Sequence, residues 1–68
     1  MKNKKNKTQI TIQYLYRKNQ LSEVWIFSPG QGVIYASLVT PIKTIEMINL
    51  EIKETTKNKK YQKKYIYK

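Results

Sequence analysis

Residues 40–56, Thr40-Pro41-Ile42-Lys43-Thr44-Ile45-Glu46-Met47-Ile48-Asn49-Leu50-Glu51-Ile52-Lys53-Glu54-Thr55-Thr56, decide the fold class, and their pattern fits two conformations. In a strand, Ile48, Leu50 and Ile52 alternate with Asn49, Glu51 and Lys53, and Ile45 and Met47 join the apolar face after a local slip. In a helix, Thr40 is the N-cap and Pro41 the first helical residue; Ile42, Ile45, Ile48 and Ile52 then share a face, and Met47 and Leu50 fall off it. The density of β-branched residues favours the strand. The expected fold is therefore all-β, a small antiparallel meander or barrel of 4–5 short strands with flexible basic tails. The alternative is α+β, a three-stranded meander plus one helix at about 41–55.

On the N-terminal side the pattern is clearer. In residues 8–17, Ile10, Ile12, Tyr14 and Tyr16 fall on one face of an extended strand, with Thr11, Gln13 and Arg17 on the other and Leu15 as the exception. Lys18 to Ser22 is polar enough to turn the chain. Two apolar, β-prone runs follow, Val24-Trp25-Ile26-Phe27 and Val33 to Val39, separated by Pro29-Gly30-Gln31-Gly32. Proline presets φ at the second position of a turn, and Gly30 can take the positive φ that a type II turn requires at the third. Gly32 can form a bulge as the chain re-enters the sheet. A hairpin over 23–39 results, apolar on both faces, and such strands need cover on both sides.

On the C-terminal side lies a basic stretch containing Tyr61, Tyr65 and Tyr67, and residues 61–67 could add a fifth strand. The domain plan is a basic N-terminal arm (1–7), a single small domain (8–56) and a basic, tyrosine-containing tail (57–68). The net charge of +10 sits at the two ends: 1–7 and 57–68 hold ten lysines and no acid, while four cations and four glutamates cancel in between. Lys, Asn, Ile and Tyr together approach half of the chain, so codon drift in an AT-rich genome is an alternative source of lysine. Drift does not explain why the lysines cluster.

A chain of 68 residues buries only about 60% of the surface its unfolded form exposes. With no cysteine and no histidine, disulfides and thiolate or imidazole metal sites are excluded. Stability from a partner, as a homo-oligomer or in a complex, is the remaining route. The same inventory lacks a nucleophile–base arrangement, so neither an enzyme nor a cofactor protein is expected. No export signal is visible after the basic start, and the uncharged run from Val24 to Ile42 is broken by its central turn, which argues against a membrane span. A cytoplasmic location, or an organelle stroma or matrix, is expected.

Cations interleaved with aromatic rings match the phosphates and base faces of nucleic acid. The expected function is non-catalytic binding of RNA, the favoured ligand, or single-stranded DNA, as a minor component of a ribonucleoprotein. Lys4, Lys5, Lys7, Arg17, Lys59, Lys60, Tyr61, Lys63, Lys64, Tyr65 and Tyr67 are the candidate contacts. Tyr14, Tyr16 and Tyr35 could add a stacking platform if they line one sheet face beside Arg17, and are core residues if they face inward. The alternative is an accessory or assembly subunit of a protein complex, including one at a membrane surface, docked through the apolar hairpin with Trp25, Phe27 and Tyr35 at the interface.

Overall fold

Alternation in the first apolar segment becomes β1 (Ile10–Arg17), which turns directly into β2 (Gln20–Ser28). The computed structural model describes residues 9–68. The turn is shorter than its polar composition indicates: Lys18 and Asn19 both take positive φ, 51° and 64°, the geometry of a two-residue hairpin loop, and Gln20 to Ser22 already belong to the strand. β3 (Gly32–Leu38) completes the expected antiparallel meander. Between β2 and β3, Gln31 N–H donates to Ser28 O at 3.0 Å across Pro29 and Gly30, and Gly30 takes φ +87°, as a type II turn requires.

The segment 40–56 is a helix and not the favoured strand. It forms α1 (Ile45–Thr55), four residues later than a Thr40 cap would place it. Thr40 instead closes a turn, its Oγ1 accepting from the N–H groups of Ile42 (3.2 Å) and Lys43 (2.8 Å). Thr44 is the true N-cap and accepts from Met47 N–H. Ile48 and Ile52 pack on Ile10 and Ile12 of β1 and Val24 and Ile26 of β2, with Tyr14, Leu21, Ile34, Tyr35 and Val39 around them. An eleven-residue helix is about 16 Å long, enough to lie across three or four strands spaced about 4.8 Å apart. The meander's apolar face needs such a cover, and that need overrides β-propensity.

After α1 the chain enters β4 (Tyr61–Tyr67), which pairs with β1 in parallel, Tyr14 opposite Tyr65 and Tyr16 opposite Tyr67. The sheet order is β3-β2-β1-β4. The expectation of an all-antiparallel sheet is thus corrected: the sheet is mixed, because the helix carries the chain from one edge to the other and returns it in the direction of β1. Residues 61–67 are an edge strand and not a free tail. The arm 1–7 lies outside the described residues.

Candidate nucleic-acid interface

The parallel register of β1 and β4 builds a ladder of tyrosines. Residues two apart on a strand share a face, so Tyr14 and Tyr16 of β1 and Tyr65 and Tyr67 of β4 stand on the helix-bearing side. Tyr14 stacks on Tyr65 with ring centroids 5.3 Å apart and planes 14° from parallel; Tyr16 stacks on Tyr67 at 4.9 Å and 18°. Tyr16 also leans on Tyr65 at 6.4 Å. Burial, then the neighbouring phenols of Tyr65, Tyr61 and Tyr16, raises the Tyr14 pKa above its usual value, so the inner rung stays protonated. Because β4 is the sheet edge, one face of each outer ring is covered by its β1 partner and the other has no strand beyond it among the described residues. Tyr65 and Tyr67 remain 51% and 68% exposed.

Cations surround these rings. Lys63 shares their face, Lys64 points to the other, and Lys59, Lys60 and Lys68 flank the strand; all are exposed. Tyr61, opposite Ile10, stands on the same face beyond Lys63. Arg17 does not join them. It lies on the opposite face, 3.4 Å from the Glu23 carboxylate. Lys4, Lys5 and Lys7 fall outside the described residues.

The second sheet face bears Leu15, Trp25, Phe27, Val33, Ala36, Leu38 and Ile66, and no element among the described residues covers it. Trp25 and Phe27 stack here at 6.3 Å. The Trp25 indole N–H donates to Glu23 at 2.9 Å, and with Arg17 it holds the Glu23 carboxyl below its ordinary pKa. Tyr35 is separated from this pair. It lies on the helix side, where its hydroxyl donates to Glu51 at 2.6 Å beside the Lys43 ammonium, also at 2.6 Å. Burial first, and the bond to Glu51 second, push the Tyr35 pKa up to about 12. The hydrogen bonds from Lys43 and Tyr35 lower that of Glu51. This network pins α1 to β3 and leaves Tyr35 as a structural group.

The parallel register places Tyr14 and Tyr16 behind Tyr65 and Tyr67, which the sequence of β1 alone does not indicate. Exposed Ile42, Ile45, Met47 and Leu50 on and before α1 carry no charge or motif to mark them as surface residues. No described helix is long and apolar enough to cross a membrane, and no group of metal-ligating side chains occurs among the described residues. No family model, curated protein or solved structure matches the chain.

Proposed function

We propose that the protein is a non-catalytic binder of single-stranded nucleic acid, RNA or DNA, that works as a minor component of a ribonucleoprotein. The observation that carries this reading is the pair of outward ring faces at Tyr65 and Tyr67, backed by Tyr14 and Tyr16 on a strand lined with lysine. A base laid on each outer face extends an existing stack, and each such contact is worth ~1–3 kcal/mol. The two rings, two residues apart on a strand, sit about 7 Å from each other along it. Bases stacked in a duplex rise only about 3.4 Å. Neighbouring bases can therefore reach both rings only when splayed, which favours an unpaired strand. Lysines 59, 60, 63, 64 and 68 lie within reach of its phosphates.

Binding of a labelled single-stranded RNA oligonucleotide, followed by polarisation against salt, tests this. With about five phosphate contacts, log affinity falls with log salt at a slope near −3.5. Tyr65→Leu with Tyr67→Leu weakens binding roughly tenfold or more at an unchanged slope, while Lys63→Gln with Lys64→Gln flattens the slope. Side-chain changes are needed because truncation at residue 57 would remove a sheet strand. Salt-independent binding, or affinity indifferent to both double variants, would refute the assignment.

The uncovered face of Trp25, Phe27, Val33 and Leu38 favours a second reading, an accessory subunit docked on a protein through that face. A native-source purification in which a protein, and no nucleic acid, accompanies the chain would favour it.

A further inference from the structure

We propose that the β3 edge is a self-association surface, at which two copies pair their β3 strands antiparallel into one eight-stranded sheet ordered β4-β1-β2-β3-β3-β2-β1-β4. The inference uses different residues from the nucleic-acid reading and stands apart from it.

Among the described residues both sheet edges offer backbone groups that no further strand pairs, but only one edge is guarded. β4 carries Lys63 and Lys64 and is flanked by Lys59, Lys60 and Lys68, a cationic edge that repels another like itself. β3, Gly32-Val33-Ile34-Tyr35-Ala36-Ser37-Leu38, has no charge and no proline. Its single irregularity is the bulge opposite Ile26 and Phe27, which leaves Tyr35 to Leu38 as a regular segment. The free groups there can be identified. Val39 N–H donates inward to Ser22 O at 2.9 Å. By alternation Ser37 also faces β2, and Ala36 and Leu38 turn their N–H and C=O groups outward, the Leu38 C=O also accepting from the Ser37 hydroxyl at 3.3 Å.

Charge selects the occupant. An acidic strand would be drawn to β4, whereas an uncharged edge suits an uncharged strand, and β3 is one. Self-association of a +10 chain needs its cations kept apart. Beside β3, the Lys43 ammonium is paired with the Glu51 carboxylate at 2.6 Å. In the joined sheet the two β4 strands stand seven strand spacings apart, about 34 Å, or roughly four Debye lengths at physiological salt. A two-fold axis makes the contact isologous, so each copy donates the same groups that it accepts with. It also sets Leu38, 59% exposed, beside the partner copy's apolar strand.

Sedimentation equilibrium of the chemically synthesised full chain tests the proposal. At tens of micromolar the unmodified chain should have twice the 8.2 kDa mass of one copy. N-methylation of Ala36 keeps the side chain and blocks the outward N–H; it should raise the dissociation constant roughly a hundredfold or more, with unchanged far-ultraviolet circular dichroism. Ala36→Pro, made recombinantly, should do the same, because proline is tolerated where an edge N–H faces solvent. Phe27→Lys, on the uncovered face and away from the edge, should leave the dimer intact. A monomer at that concentration overturns the proposal, and so does a dimer indifferent to methylation. Dispersal by Phe27→Lys would move the contact to the sheet face. Unfolding of the methylated chain would show that Ala36 N–H is already used within one copy.

Discussion

Ile48→Ala and Leu50→Ala change residues two apart on the same segment, and their costs should differ severalfold. Ile48 is 1% exposed and sits in the core formed by Ile10, Ile12, Val24, Ile26 and Ile52; Leu50 is 64% exposed. Truncating a buried isoleucine to alanine removes transfer energy and leaves a cavity, together ~2–5 kcal/mol. A chain of this length has a total stability of about 3–10 kcal/mol, so Ile48→Ala should remove from about a fifth of it to all of it. Truncating Leu50 loses little burial and gains helix propensity, and should stay within about 0.5 kcal/mol. Urea unfolding followed by Trp25 fluorescence reads both, since Trp25 lies on the far face of the sheet from either residue. With a urea dependence of about 1 kcal/mol per molar, a 3 kcal/mol loss lowers the midpoint by about 3 M. In a strand both side chains would share one face and cost alike. Equal losses for the two variants would therefore refute the helix and the packing argued from it.

The turns and charge networks give further expectations. Gly30 has φ +87° with open space where a Cβ would stand, so Gly30→Val should cost on the order of 1–3 kcal/mol from backbone strain alone, and Gly30→D-Ala, placed by synthesis, should be neutral or stabilising in the same urea melts. Lys18 holds φ 51° without being glycine, so Lys18→Asn with Asn19→Gly should raise stability by about 1 kcal/mol. The folded-state pKa of Glu51 is lowered, so its contribution is present above the unfolded carboxylate value and disappears as pH falls through the lower folded value; Glu51→Gln should flatten that acid limb. The Tyr35 pKa is raised from 10.0 to about 12, so its contribution is complete below pH 10 and is lost as pH rises through 12; Tyr35→Phe should remove this alkaline loss, read by thermal melts across that range.

The meander was legible because its signals are local. Ile10, Ile12, Tyr14 and Tyr16 alternate with polar neighbours, and Pro29-Gly30 specifies its own turn. The helix was not, for a reason visible in its exposed residues. Met47 and Leu50 are apolar but unburied, so Ile48, Leu50 and Ile52 mimic strand alternation although only Ile48 and Ile52 enter the core. The direction of β4 was equally hidden. Nothing in Tyr61 to Tyr67 tells parallel from antiparallel pairing; the helix decides it, and with it which tyrosines meet. Of the candidate contacts, the lysines and tyrosines of 59–67 gather at one edge, while Arg17 was placed correctly on its strand but on the face where Glu23 occupies it.

Among the described residues β4 is joined to the sheet along one side only, and six of its seven residues are exposed. Amide hydrogen exchange should therefore divide the molecule sharply. β2 and the β1 groups bonded to it, packed beneath α1, open only with global unfolding, whereas β4 can detach by a smaller, local opening that also frees the β1 groups bonded to it. When it does, both rungs of the tyrosine ladder come apart together, and β1 is left as a bare edge. Whatever settles across Tyr65 and Tyr67 while they are docked must shift that local equilibrium toward the closed strand by mass action. Slowed exchange confined to residues 61–67 and their β1 partners would then report occupancy of this edge, even where the rest of the sheet does not respond.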